Sequence, residues 1–402
     1  MGPGGEVRAV PRLALTTNYA VAHAAKDSDV DVVAAYPITP STPAAEKLAE
    51  FVANGEMDAE YIHVESEHSA ASALVGASAT GARSFTVTAS QGLVYMAEVL
   101  YIASGLRLPI VLGVASRALS APLSIWGDMH DIAVLRDAGI VTYFVSSAQE
   151  AYDTVIQAFK VAEDPRVHLP AIVDYDGFVL SHVTEPVETL EKEEVLKYIP
   201  KKITWNTLNP KHPISMGTVG DPDWYYEFKY QQQVAMENAL KVAEEADKEF
   251  GKAFGRSYGI VEPFMMDDAE VAVIAYGAHA GTAKVAVERA RKEGKKVGLI
   301  RLRLWRPFPV PHMRKLLDNV SVVGVLDRAM SLGAPRQGPV ALDVMAMYAS
   351  DPQNAPKMAS YTIGIGQRDV RVEDILTVID QLLEFAKGKE VPEKTVPIGL
   401  RE

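Results

Sequence analysis

Four short segments of the chain hold the residue types that could do chemistry. In Tyr36-Pro-Ile-Thr-Pro-Ser-Thr-Pro43, three prolines surround Thr39 just ahead of an apolar-periodic run. Proline fixes φ, so the Thr39 hydroxyl stands at a set bend. Beside the N–H groups of a helix start, such a hydroxyl suits a carboxylate or another anion, although a rigid strand-to-helix turn accounts for the same spacing. In His63-Val-Glu-Ser-Glu-His68, imidazoles and carboxylates are mixed, but no His-x-x-x-His pair is present, and the spacing argues against a metal. Glu67 falls where a run of small residues opens a helix. It either favours the helix dipole or aims a carboxyl into a cleft for proton transfer against a heterocycle.

The third segment, Thr88-Ala-Ser-Gln-Gly92, imitates the nucleophile elbow of serine hydrolases without its first glycine. No oxyanion segment accompanies Ser90, so Gly92 is better read as letting backbone approach a bound ring. The fourth runs from Ser116 to Asp128 and leaves Arg117 alone among small and apolar residues. Its guanidinium could take a substrate carboxylate in a bidentate grip, with Ile125 and Trp126 lining an apolar pocket. The competing reading is an internal ion pair with Asp128 or Asp131.

Apolar runs of strand length alternate with helix-length segments around these motifs. The runs 32–35, 61–64, 84–88, 109–114 and 171–173, with 140–145 as a sixth, predict a mainly parallel sheet covered by helices. In such sheets ligands sit outside the carboxyl ends of the strands, where all four segments fall. A helix over 42–52 is marked by Ser41 or Thr42 as cap, Pro43 in its first turn and Gly55 beyond its end. From about Glu185 the alternation gives way to connecting structure: an acidic stretch, a Pro- and Gly-bearing segment over 203–223, and a polar helix over 225–250. A second alternation begins at Glu270, with strands expected at 271–276, 297–301, 322–326 and 361–365. The expected organisation is a first α/β unit over 1–262, including the connecting segment, and a smaller one over 263–402.

Composition sets the outer limits. At ~150 residues per domain, 402 residues suggest two or three domains, and 48% hydrophobic with 23% charged residues is ordinary for globular proteins. A net charge of -12 offers no basic footprint for nucleic acid or anionic lipid. The absence of cysteine excludes disulfides, thiolate zinc sites, a cysteine nucleophile and cysteine-ligated iron-sulfur clusters in this chain. No apolar stretch reaches the ~20 residues of a membrane span. Thr16, Thr17 and Asn18 interrupt the run after Arg8 and Arg12 before a signal core can form, so a cytoplasmic location is expected. Gly364-Ile-Gly366 continues as Gln-Arg-Asp, so no complete dinucleotide fingerprint is present, and no phosphate loop either.

Together and in this order, YPITPSTP at 36–43, VESEHSA at 64–70, TASQGL at 88–93 and SRALSAPLSIWGD at 116–128 resemble the α subunit of the 2-oxoacid:ferredoxin oxidoreductases, most closely the pyruvate branch. LWRPFP at 304–309 and GIGQRD at 364–369 extend the likeness along the chain. The resemblance implies a pyrimidine-binding thiamine diphosphate domain followed by a transketolase C-terminal-like α/β domain. It implies that Glu67 hydrogen-bonds the pyrimidine nitrogen and promotes the imino tautomer that accepts the thiazolium proton. Thr39 and Arg117 match residues that hold the 2-oxoacid carboxylate, with Pro37, Ile38, Ser90, Gln91 and Ile125 lining the cofactor pocket; Met129 stands where pocket shape varies among relatives. The GDG…NN signature for the cofactor's diphosphate is missing, since Gly127-Asp128 precedes Met129 and no Asn pair exists.

The family picture therefore puts the diphosphate and Mg²⁺ site, with a [4Fe-4S] cluster, on a β subunit. Further clusters fall to γ and ferredoxin-like δ subunits or fusions of them, and no metal is expected in this chain. The implied reaction is reversible, coenzyme A-dependent oxidative decarboxylation of pyruvate or a related 2-oxoacid to acyl-CoA, carbon dioxide and reduced ferredoxin. Three alternatives stand beside it: a branched-chain or aromatic 2-oxoacid, a silent structural or assembly subunit, and a serine hydrolase built on Ser90.

Overall fold

The computed structural model describes residues 11–201 and 207–401. A seven-stranded sheet runs in the order Leu304–Arg306, Val141–Phe144, Ala171–Asp176, Val111–Ser116, Ser84–Thr88, Val32–Ala35, Glu60–His63. All pairings are parallel except that of Leu304–Arg306 with Val141–Phe144. Every apolar run expected in this unit forms a strand. Two strands outrun their apolar stretch because their last residues are polar yet buried: the Ser116 hydroxyl donates to Asp174, which keeps both in the ladder. Leaving Val32–Ala35 the chain turns to one side of the sheet, and leaving Ser84–Thr88 it turns to the other. The crevice between these adjacent strands is thus a topological switch point, and the loops 36–41 and 89–91 border it.

The helix Thr42–Ala53 begins and ends close to expectation, with proline in its first turn. Ser41 does not cap it with its side chain. Its hydroxyl instead donates to the Ile38 carbonyl at 2.9 Å, which tightens the preceding loop. The antiparallel pairing of Arg12–Thr16 with Thr184–Glu188 was not expected, because the second strand lies within the acidic stretch read as connection. The polar helix runs over Tyr225–Phe254, past the expected 250, and stops at Gly255, whose φ of +75° is the left-handed helix end glycine favours. Residues 202–206 of the expected connecting segment lie outside the described residues.

The second sheet runs in the order Val396–Pro397, Lys357–Thr362, Val322–Asp327, Val271–Ala275, Val297–Leu302, Val261–Phe264. Its last strand is antiparallel and crosses position 262/263, while Leu304–Arg306 returns to the first sheet. One apolar cluster is common to both units: Leu93, Met96 and Ile132 of the first pack with Ile274, Ile300 and Val325 of the second. Phe144 stacks on Tyr276 at 4.5 Å and on Trp305 at 5.5 Å. Polar ties reinforce this seam. Arg303, wholly buried, donates to Glu150, Gly259 O, Thr154 and Gln157, and Arg301 pairs with Glu150 and Glu262. Among the described residues no helix is long and apolar enough to cross a membrane.

His279 opens a helix of the second unit at this seam, its Nδ1 3.9 Å from Asp176 of the first. Burial drives its imidazole down to about 4, against the pull of Asp369. A base depressed in the fold contributes stability that is present above its unfolded value and lost as pH falls through its folded one. The chain should therefore lose about 2–3 kcal/mol from His279 alone between pH 6.5 and 4. His279→Gln should remove that component, so denaturant midpoints of the variant should decline less over the window; parallel declines would contradict the assignment.

Candidate active site

The loop after Val32–Ala35 is fixed from behind. Buried Asn18, on the helix Thr17–Asp27, donates to Pro40 O at 2.9 Å and accepts from the Tyr175 hydroxyl at 2.8 Å. Pro40 is buried, while Pro37 and Thr39 are exposed and Ile38 half-buried, so the loop presents its tip outward. Asn18 was not singled out in the sequence; an isolated amide in an alanine-rich helix is its only local signal.

Arg117 follows the strand Val111–Ser116 and is 8% exposed. Its Nη1 donates to Thr39 O at 2.8 Å and its Nε to Ser124 O at 3.1 Å. The expected alternative, an ion pair with Asp128 or Asp131, does not form. Asp128 accepts from the Gly366 amide at 3.0 Å and lies 3.0 Å from His130 Nδ1; Asp131 accepts backbone amides. Among the described residues the hydrogen-bond partners of the guanidinium are carbonyls and no carboxylate. Burial pulls the pKa of Arg117 down, opposed by Asp131.

Ser90 adopts a φ of +52°, the left-handed turn that an elbow would use. Its surroundings are not those of a nucleophile. The hydroxyl is buried, 2.6 Å from both Ala118 O and Gln91 Oε1, with no imidazole in its hydrogen-bond set, and its amide is held by Asp131 at 2.8 Å. Ser90 thus joins two loops, and the hydrolase alternative lacks its base.

Glu67 stands in the first turn of the helix Glu67–Ala79, capped by Ser66, whose hydroxyl accepts the Ser69 amide at 3.2 Å. The side chain is 7% exposed and, among the described residues, its carboxyl makes no hydrogen bond. It lies against Gly92, where a Cβ would stand 2.5 Å from Glu67 Oε1 and 2.7 Å from Thr88 Oγ1. Glycine is required at 92 by this close approach, not by its backbone angles. The other groups of the segment disperse: Glu65 accepts from Ser69, His63 rests on Tyr61, and His68 faces Glu98 at 3.7 Å. Ile125 and Trp126 are exposed at the loop tip, Trp126 against Phe178 at 4.8 Å. Met129 is buried at the seam near Gly277, its amide donating to Arg328 O.

A switch-point crevice bordered by a carboxyl without hydrogen bonds among the described residues and a carbonyl-held guanidinium, with a second α/β unit behind it, defines a two-unit α/β protein whose candidate site lies at the carboxyl ends of a parallel sheet. Residues 23–248 match the family described as pyruvate flavodoxin/ferredoxin oxidoreductase, thiamine diP-binding, and residues 269–375 match pyruvate:ferredoxin oxidoreductase core domain II. The chain belongs to the pyruvate:ferredoxin oxidoreductase family.

It is 46% identical over 394 residues to the pyruvate synthase subunit PorA of Methanocaldococcus jannaschii, covering 96% of this chain and 98% of that one. It is 43% identical over 388 residues to the ketoisovalerate oxidoreductase subunit VorA of Pyrococcus furiosus, covering 96% and 97%. In fold it is similar to a 2-oxoglutarate:ferredoxin oxidoreductase from Magnetococcus marinus, with a TM-score of 0.72 at 19% identity, over 92% of this chain and 65% of that one. It is also similar in fold to a split-gene transketolase, with a TM-score of 0.55 at 10% identity, over 92% and 99%.

Gly92→Ala places a methyl group against the Glu67 carboxyl. Thiamine diphosphate affinity of the assembled enzyme should fall about tenfold or more, the scale of one lost hydrogen bond to a charged group. A titration indistinguishable from the parent would show that Glu67 has room to move aside.

Proposed function

We propose that this chain supplies the pyrimidine-binding and substrate-carboxylate-binding half of a cytoplasmic, multi-subunit pyruvate:ferredoxin oxidoreductase that acylates coenzyme A. One observation carries the reading: Arg117, buried and charged, is held by two carbonyls and no carboxylate. Among the described residues no carboxylate hydrogen-bonds the guanidinium, and a 2-oxoacid brings a carboxylate of the right charge and planarity.

The residues fit thiamine diphosphate. A carboxyl without hydrogen bonds, the partnerless buried hydroxyl of Thr88 and a glycine that keeps their niche open suit the edge of a planar heterocycle. When bound, the cofactor supplies the nucleophilic carbon that adds to the substrate ketone and holds the electrons released with carbon dioxide. Glu67 would accept a hydrogen bond from the ring nitrogen and so govern the proton at that atom. Arg117 would pair with the carboxylate, and Thr39 would stand beside it, its carbonyl turned to Arg117. Pro37, Ile38, Ser90, Gln91 and Ile125 would bound the pocket, chiefly by excluding water. We assign the diphosphate and Mg²⁺ site and a [4Fe-4S] cluster to a β subunit, and the remaining clusters to γ and δ subunits or their fusions, with ferredoxin as acceptor. Two facts support this: the chain contains neither the GDG…NN pattern nor any cysteine. We place the division between the units near 262/263, within the gap between the two family segments, with the strand Val261–Phe264 that spans it assigned to the second sheet.

The test uses the anaerobically isolated complex, coenzyme A and a low-potential dye, across pyruvate, branched-chain, aromatic and longer 2-oxoacids. Pyruvate should give the highest kcat/KM; preference for a branched or aromatic acid would move the specificity and keep the chemistry. Arg117→Ala should lower kcat/KM for the 2-oxoacid by about 10- to 100-fold, as expected for a lost charged hydrogen bond. Glu67→Gln should lower kcat by about 100-fold or more. If both variants kept full activity in an intact, cofactor-loaded complex, the chain would be an assembly subunit instead.

A further inference from the structure

Thr88 ends the strand Ser84–Thr88 and is wholly buried, yet its Oγ1 has no hydrogen-bond partner among the described residues. Thr17, Ser28 and Ser78 also carry buried hydroxyls without partners, but that of Thr88 lies beside a carboxyl that lacks one too, and such groups call for an explanation. The same point above Gly92, the position its Cβ would take, lies 2.7 Å from Thr88 Oγ1 and 2.5 Å from Glu67 Oε1. Two oxygens from different elements, a strand end and a helix start, therefore front one niche that only a glycine leaves open. One is a donor without an acceptor. The other is an acceptor without a donor.

We propose that Thr88 is a positioning residue for Glu67, its hydroxyl donating to the carboxylate oxygen that faces Gly92 and leaving the second oxygen for the pyrimidine nitrogen of the bound cofactor. The proposal rests on the role given to Glu67 above. The terminal torsion of a glutamate is broad, so the carboxylate can turn to meet the hydroxyl without leaving its rotamer. A carboxylate held at one oxygen presents the other in a fixed direction, as outer hydrogen bonds do for ligands generally. Other ionisable groups near this helix start do not compete for the niche: Glu65 is engaged with Ser66 and Ser69, and His68 faces Glu98 on the helix Ser90–Gly105. None of the pairs or hydrogen bonds of Arg117 involves Glu67 or Thr88.

The experiment strips the assembled complex of cofactor and titrates it with thiamine diphosphate and Mg²⁺ over a range of pH. Thr88→Val keeps the shape and removes the hydroxyl. It should weaken cofactor binding about tenfold and move the acid limb of binding upward by about one pH unit, because a lost donor disfavours the ionised carboxylate. Thr88→Ser, which keeps the hydroxyl, should restore both. Unchanged affinity and acid limb in Thr88→Val would overturn the proposal. So would equal weakening in the Val and Ser variants with an unmoved limb, which is the signature of packing alone. If the Val variant does not assemble, Thr88→Ala against Thr88→Ser asks the same question of smaller side chains.

Glu67→Gln separates the two levels of the argument. Parent-like cofactor affinity and acid limb in that variant would remove the role of Glu67 and the proposal with it. Weakened binding there, beside parent-like binding in Thr88→Val, would remove Thr88 alone.

Discussion

One buried carboxylate organises the crevice. Asp131 accepts the amides of Ser90 at 2.8 Å and Arg117 at 3.0 Å on a single oxygen, and that of Ile132 at 2.9 Å on the other. Ser90 opens the helix after one strand and Arg117 the loop after the adjacent one, where the ladder has ended and their N–H groups have no strand partner. A loop backbone there would otherwise leave buried donors unpaired, at about 1–3 kcal/mol each. Burial pushes Asp131 up to about 7, while the amides of Arg117 and Ser90 draw it back. The consequence is geometric: the Arg117 guanidinium and the Ser90 turn are set relative to each other, and through Arg117 the Thr39 carbonyl is drawn into the same frame.

The second unit serves this frame from behind. Arg328 pairs with Asp176 at the end of a central strand of the first sheet. His130 Nε2 accepts the Met330 amide at 3.0 Å while its Nδ1 lies 3.0 Å from Asp128, so the ring bridges the units; burial pulls its pKa down, but Asp128 lifts it above the ordinary value. The GIGQRD segment has a concrete task here. Its Gly366 amide donates to Asp128, and Gln367 Oε1 accepts the Gly127 amide at 3.1 Å, which clamps the far end of the loop that began at Arg117. That loop is therefore held at both ends, by Asp131 at one and by the second unit at the other, and its middle is left exposed.

Strand positions, the parallel layers and the existence of the crevice were legible in sequence because apolar runs and proline-glycine punctuation report burial and turns directly. Glu67, Arg117 and Thr39 were legible only as residues out of keeping with their neighbours. The pairing state of Arg117 was not, since Asp128 and Asp131 were near enough in sequence to serve and only the fold shows them spent on His130, Gly366 and backbone amides. Asn18 and Thr88 were missed for a related reason. Each acts across the fold, on Pro40 or beside Glu67, and nothing adjacent in the chain marks a buried polar group whose partner lies in another element.

The contrast between tied and untied parts bears on selectivity. On the proposed reading, the groups that serve any 2-oxoacid, its carboxylate site and the cofactor edge, are the ones fixed by Asp131, Asn18 and the Gly92 contact. The groups that would meet the variable side chain sit on the free middle of the loop, where Leu123 is 75% exposed and Ile125 38%. One methylene more or less in such a pocket is worth only about 1–3 kcal/mol. On that reading a few substitutions there would move preference between pyruvate and a branched acid while leaving the tied frame untouched. Selectivity would then be set by a short exposed loop and by the surface that closes over it, while the frame beneath stays fixed by Asp131, Asn18 and the second unit.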